Sequence, residues 1–267
     1  MTILEGKVVA VTGAGSGIGR ALCQDLVARG AHVALSDVNE EELAETVASL
    51  DGGTKVTSYR VDVSDRAAVE AYAAEVKAQH GGADVIINNA GVAARTSIEK
   101  CSYKDLEFVL GVNLRGVIHG TKAFFPLMRE RGGGHIVNIA SINAFVPFPF
   151  NGLYNMSKYA VHGLNETLAQ ELAGDTIRVT GVYPGGVKTN IAESGRHVSK
   201  AQVQEFARRA RTEPAEAARV ILNAVEKDKQ HVFVGTDAKV LAAAKRVAPA
   251  TTLAFVAWAM PRPPGGK

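Results

Sequence analysis

Cysteine is nearly absent from this chain of 267 residues, which has Cys23 and Cys101 alone. The two fall on separate predicted helices and read as reduced thiols. That excludes a disulfide-stapled scaffold and accords with a reducing cytoplasm, where the chain is placed. No apolar run reaches the roughly 18 residues of a membrane span. The start of the chain has no basic segment followed by an apolar one, so no signal peptide is expected. Charge of one sign is also missing, because 30 Lys plus Arg stand against 27 Asp plus Glu. A net +3 is too small to argue for nucleic acid. The seven histidines are scattered and Cys-x-x-Cys is absent, so no metal site is expected. A composition 46% hydrophobic and 21% charged fits one soluble globular domain.

What the chain does have is a glycine turn. Thr12-Gly-Ala-Gly-Ser-Gly-Ile-Gly19 directly follows the apolar run Lys7-Val-Val-Ala-Val11. Glycine permits a sharp bend and lets a phosphate approach main-chain N–H groups. A helix from about Ile18 would aim its positive end at that phosphate. Such a turn can also simply end a strand. A P-loop is excluded because position 18 is Ile, and a hydrolase elbow because position 14 is Ala.

Apolar runs alternate with helical patterns along the chain. Predicted strands are 7–12, 32–37, 55–61, 84–88, 134–140, 176–182 and 231–234. Predicted helices are 18–29, 39–50, 65–79, 103–114, 116–131, 154–173 and 214–227. The strands are continuously apolar, as a sheet covered on both faces requires. Strict alternation of strand and helix implies parallel strands with right-handed crossovers. The fold class is therefore α/β: a Rossmann-like, doubly wound, seven-stranded parallel sheet. Ligands of such sheets lie beyond the carboxyl ends of the strands. Those ends carry Gly13, Asp37, Asp62-Val63, Asn88-Asn-Ala-Gly91, Ser141 and Pro184-Gly-Gly186. Asp37 lies 18 residues after Gly19, where a carboxylate can accept from both ribose hydroxyls and repel a 2′-phosphate. NAD is accordingly favoured over NADP, the alternative for Asp37 being a surface helix cap. Asp62 would accept from the adenine amino group, and Val63 offers its main chain.

Tyr154 and Lys158 are four apart on a predicted helix and share one face. A nearby ammonium is expected to lower the pKa of the phenol toward the range of a general base. Ser141, thirteen residues before Tyr154, can hold a substrate oxygen. Asn113 is expected to bind a water that links Lys158 to solvent.

With these residues in view, the chain resembles the short-chain dehydrogenase/reductase family. The matching segments are 12–19, Asn88-Asn-Ala-Gly91, Asn113, Ser141, Tyr154-Asn-Met-Ser-Lys158 and Pro184-Gly-Gly-Val-Lys-Thr189. The resemblance implies a catalytic tetrad of Asn113, Ser141, Tyr154 and Lys158, with hydride transfer between nicotinamide and a carbinol carbon. It implies cofactor contacts from Gly13, Ser16, Gly17, Ile18, Gly19, Asp37, Asp62, Val63, Asn89, Gly91, Tyr154, Lys158, Pro184, Gly185, Val187 and Thr189. It further implies a homo-oligomer, dimer or tetramer, paired through the helices at 103–131 and 154–173.

The substrate pocket is expected to involve residues 142–151, with Asn143 and Phe148 among them, together with Val92 and Gly186. That segment has three Phe and no charge, which favours a small lipophilic alcohol or ketone; the alternative is that some of these aromatics pack subunit contacts. Nothing in it argues for a carboxylate or coenzyme A substrate. Residues 187–212 are expected to form a mobile lid, where Arg196 either meets a charged substrate group or is solvated.

Residues 1–234 form the dinucleotide-binding and catalytic unit. The remaining 33 form a helical extension, 235–267, with four net positive charges. Its stripe of Val240, Leu241, Ala244, Val247 and Ala248, with Trp258, would rest on an anionic membrane surface or pack against the same or another subunit. The function expected is NAD-dependent oxidoreduction of a lipophilic secondary alcohol or ketone. The alternatives are an acyl-chain reductase of 3-oxoacyl type and a nucleotide-binding sensor without catalysis.

Overall fold

The computed structural model describes residues 2–51 and 53–260. Among these, seven parallel strands form one sheet: β1 (Val8–Thr12), β2 (His32–Asp37), β3 (Val56–Arg60), β4 (Val85–Asn88), β5 (Gly134–Ile139), β6 (Ile177–Pro184) and β7 (His231–Val234). Their order is β3-β2-β1-β4-β5-β6-β7. The order reverses between β1 and β4, and this switch point opens a crevice at the strand C-termini.

The central strands β1, β4 and β5 bury both faces, which explains their apolar runs, whereas the edge strand β3 is polar at Thr57, Ser58 and Arg60 and leaves Ser58 and Arg60 exposed. Val9, Val11 and Leu35 face one core with Leu22 and Leu26 of α1 (Gly17–Ala28) and Ile221, Leu222 and Val225 of α8 (Pro214–Glu226). Val8, Ala10 and Ile136 face the other, with Tyr72 and Val76 of α3 (Arg66–His80), Phe124 and Met128 of α5 (Gly116–Glu130) and Leu168 of α6 (Gly152–Glu171). Each fully buried side chain of this size contributes about 1.5–3 kcal/mol. α2 (Glu40–Ala48) starts at Asn39, whose side chain accepts from Glu41 N and Glu42 N. The cap before α2 is thus Asn39, not Asp37.

Three segments differ from the sequence expectation. The helix at 103–114 is not separate from the next. α4 (Tyr103–Leu110) passes through a π-helical turn at Gly111–Arg115 directly into α5. The wider turn adds a residue to the rod, a device often found at functional sites. Within 187–212, residues Lys200–Arg209 form helix α7, begun by a capping box between Ser199 and Gln202. The extension forms two helices, α9 (Thr236–Val247) and α10 (Pro249–Ala259), divided at Pro249. Its apolar stripe does not bury as a unit, since Val240 and Val247 are exposed along with Phe255 and Trp258. Residues 261–267, including Arg262 and Lys267, lie outside the described residues. No helix among the described residues is long and apolar enough to cross a membrane.

Candidate active site

The crevice is a cleft of about 850 Å³. Its wall includes the ends of β1, β2, β4, β5 and β6, the first turns of α1 and α6, and residues of the 187–212 segment.

At its floor, the glycine turn is shaped by contacts that leave no room for a side chain. Gly13 and Gly17 have φ of +65° and +53°, which favours glycine. A Cβ on Gly13 would come within 2.7 Å of Ala90 Cα, and one on Gly19 would collide with Gly13 O. Asn89 Nδ2 donates to the carbonyls of Thr12 and Gly13, both at 2.9 Å. Thr12 Oγ1 in turn accepts from the N–H groups of Asn89 and Ala90. Asn89 lines the cleft, but its amide nitrogen is spent on bracing the turn. α1 begins at Ser16 with no side-chain cap and no acidic residue in its first turn. Its first N–H groups, at Gly17 and Ile18, border the cleft and suit a phosphate.

The far end of this floor is acidic. Asp37, Glu42 and Asp62 line it. Asp37 Oδ2 accepts from Gly15 N at 2.8 Å, and Oδ1 accepts from Asn39 N at 3.0 Å. The carboxylate therefore ties β2 to the glycine turn. Arg20, the nearest sequence cation, is turned away: it pairs with Glu45 at 2.9 Å and donates to Gly15 O. Asp62 Oδ1 accepts from the Ser64 N–H and hydroxyl, and the Val63 carbonyl stands 3.0 Å from His119 Nδ1.

Across the switch point, Ser141, Tyr154 and Lys158 meet in the same cleft. Ser141 lies two residues beyond β5 and caps a short 3₁₀ turn at Ile142–Ala144. Tyr154 sits in the first turn of α6, with Lys158 one turn on. Lys158 Nζ stands 5.5 Å from the centre of the Tyr154 ring and donates to Ile139 O at 2.9 Å. Burial pushes the Tyr154 phenol up to about 12, against a hydrogen bond from Ser141 that pulls it down. Burial pushes Lys158 down to about 8. The expected lowering of the phenol by the ammonium does not set its pKa; burial does, and it disfavours the charged form of both groups.

Asn113 is fully buried on the π turn. Its Oδ1 accepts from Val92 N at 2.8 Å, while Nδ2 donates to Val92 O and to Ser157 Oγ. Both amide hydrogens are taken, so the side chain braces the segment after β4, while Oδ1 keeps a second lone pair. A Cβ on Gly91 would lie 3.6 Å from Asn113 Oδ1 and 3.7 Å from Lys158 Nζ. Gly91 thus marks where Asn113 and Lys158 approach each other.

The remaining expected residues divide. Pro184, Gly185, Val187 and Thr189 line the cleft, as does Asn143. Asn143 Nδ2 donates to Asn155 Oδ1 at 2.7 Å, which ties the turn after Ser141 to α6. Phe148 and Gly186 are not in the cleft wall. The Phe148 carbonyl accepts from Asn155 Nδ2, and Gly186 N donates to Asp237. Phe145 turns away to pack on Tyr183, His162 and Phe233. Val92 lines the cleft, joined by Phe108, Ile191, Val198 and Phe206. No periodicity announces these four, because they come from two separated segments. The 187–212 segment is fastened over the cleft. Ala94 bridges to Arg196, and His197 Nε2 lies 3.1 Å from Asp105 Oδ2.

The short chain dehydrogenase family model matches residues 7–200. The Mycobacterium tuberculosis protein SadH, named as an oxidoreductase, is 42% identical over 255 residues, covering 92% of each chain. A 3-oxoacyl-[acyl-carrier-protein] reductase FabG of Thermotoga maritima is 37% identical over 191 residues, 71% of this chain and 78% of its own. Among solved structures, a short chain dehydrogenase/reductase of Burkholderia phymatum in complex with NAD has a TM-score of 0.87. It is 30% identical, with 100% of both chains covered.

Proposed function

The chain belongs to the short-chain dehydrogenase family, and on that premise we propose that it interconverts a lipophilic secondary alcohol and its ketone with NAD(H). One observation carries this reading: Ser141, Tyr154 and Lys158 share a cleft with the open first turn of α1 and with Asp37. Asp37 and Asp62 would hold the adenosine half, and Gly17 and Ile18 the pyrophosphate. Gly91, Pro184, Gly185, Val187, Thr189 and Lys158 would border the nicotinamide half. A nicotinamide there supplies or accepts the hydride.

The protein's own part is proton handling and orientation. Ser141 holds the substrate oxygen toward Tyr154. With its pKa near 12, the Tyr154 hydroxyl is protonated at neutral pH and ready to donate to the oxygen of a ketone being reduced. In oxidation the hydroxyl must first release its proton to solvent; the phenolate so formed, stabilised by the Lys158 ammonium, then takes the carbinol proton. Asn113 keeps Val92 and Ser157 in register around this pair.

An acyl-chain reductase is the second reading, favoured by the likeness to the Thermotoga protein. The acidic adenosine wall counts against it, since such reductions generally draw on NADPH. The intact Ser141, Tyr154 and Lys158 count against a sensor without catalysis. Exposed Tyr103, Met156 and Tyr159 on α4 and α6 accord with pairing of copies through those helices. Free thiols at Cys23 and Cys101 accord with a cytoplasmic site of action.

The test is absorbance at the reduced-nicotinamide band with NAD⁺ or NADP⁺ and a panel of lipophilic secondary alcohols, then NADH with the ketones. Turnover preferring NAD(H) supports the reading; none with either cofactor in either direction overturns it.

A further inference from the structure

Among the described residues the cleft wall holds one cation whose side chain has no hydrogen-bond partner. Arg95, Arg115 and Lys158 are its basic lining residues. Arg115 pairs with Glu107 at 2.5 Å, and Lys158 donates to Ile139 O. Arg196, the cation that the sequence offers to a substrate, is committed elsewhere. Its guanidinium stacks 4.0 Å above the Phe108 ring and contacts Asp105 at 3.4 Å. Among the described residues the Arg95 side chain has no hydrogen-bond or acidic partner, and its Nε is buried without one. A buried, unsatisfied donor costs about 1–3 kcal/mol, more when charged.

The backbone of Arg95 is not free to relieve this. Its N–H donates to Arg196 O at 3.0 Å. Its neighbours are bridged on both sides, Ala94 to Arg196 and Thr96 to Asn151. Asn151 is the residue before α6, so the strand-like segment 94–96 runs between the 187–212 segment and the helix that carries Tyr154. Arg95 thereby lines the cleft from a segment bridged to Arg196 and Asn151, and Phe108 and Asn151 line it too.

Taking the cleft as the substrate site of the proposed oxidoreductase, we propose that Arg95 receives a carboxylate, and that the substrate is an apolar hydroxy or oxo acid. The guanidinium fork matches a carboxylate in shape and charge. The apolar wall of Val92, Phe108, Ile191, Val198 and Phe206 takes the chain between carboxylate and carbinol. This revises the expectation from residues 142–151, which carry no base; the base comes from the loop after β4.

The experiment uses secondary hydroxy acids of increasing length, from 3-hydroxybutyrate to 9-hydroxydecanoate, each beside its methyl ester. For at least one length, kcat/KM for the acid should exceed that for the ester by about 10–100-fold, carried mainly by KM, as expected of a charge-assisted pair. Arg95→Gln should collapse the acid-to-ester ratio toward one, and Arg95→Lys should restore part of it. Sodium decanoate and decan-1-ol titrated calorimetrically provide a readout without turnover; the acid should bind wild-type protein more tightly, and Arg95→Gln should lose that difference. An ester turned over as well as its acid at every length, with equal decanoate binding by wild type and Arg95→Gln, overturns the carboxylate while leaving the oxidoreductase standing. Decanoate binding through Arg95 with no turnover of any alcohol or ketone overturns the oxidoreductase instead.

Discussion

Replacing Lys158 by Met should make the protein more stable and nearly inactive, and the gain should depend on pH. The ammonium is buried, and its pKa falls from 10.5 to about 8. Each pKa unit is about 1.4 kcal/mol, so at neutral pH the charge costs the fold about 3 kcal/mol. Removing Nζ also removes its bond to Ile139 O, worth about 1 kcal/mol. A net gain of about 2 kcal/mol at pH 7 remains. A lysine whose folded pKa is depressed destabilises the fold fully below that pKa. The penalty fades as pH rises from about 8 toward 10.5, where the unfolded chain still binds the proton. Wild-type protein should therefore close the gap on Lys158→Met by about 2 kcal/mol between pH 7 and pH 9.5. Urea unfolding of both proteins at the two pH values measures this double difference, which cancels the titration of other groups. A gap that is zero at pH 7, or equal at both pH values, would refute the claim that the ammonium is held buried at a cost. Turnover should fall by at least about 100-fold in the same variant.

Two further changes probe the cofactor wall. Asp37→Asn removes the charge facing a 2′-phosphate while keeping an acceptor for Gly15 N. The NAD-over-NADP ratio in kcat/KM should drop about 10–100-fold, and an unchanged ratio would remove Asp37 from cofactor selection. Gly19→Ala drives a methyl group into Gly13 O, a backbone atom that cannot swing aside. It should lower stability by about 1–3 kcal/mol and weaken NADH binding, as thermal unfolding with and without NADH would show.

Much of the framework is legible in the residues because local chemistry and tertiary demand coincide. Val8 to Thr12 reads as a buried strand and is one. Glycine at 13, 17 and 19 announces the turn, since no other residue fits there. Tyr154 and Lys158 share a face because they are one helical turn apart. The rest depends on distances that no short window contains. The phenylalanines after Ser141 look like a pocket by proximity in sequence. However, the turn at 142–144 sends Phe145 outward to Tyr183 and leaves Phe148 holding Asn155. Asn113 reads as a residue that binds a water, and its hold on Val92, a partner 21 residues away, is invisible in any short window. The π turn has no periodicity of its own, so one helical rod reads as two helices. Arg95 carries no motif, and its isolation is visible only once the partners of Arg115 and Arg196 are seen.

The central claim is that the Tyr154 oxygen exchanges the proton while the surrounding cleft holds the nicotinamide nucleotide. It is tested most directly by measuring NADH binding and turnover together in Tyr154→Phe. The account predicts NADH binding close to the wild-type value with turnover reduced by at least about 100-fold in both directions. Turnover near the wild-type rate would contradict it.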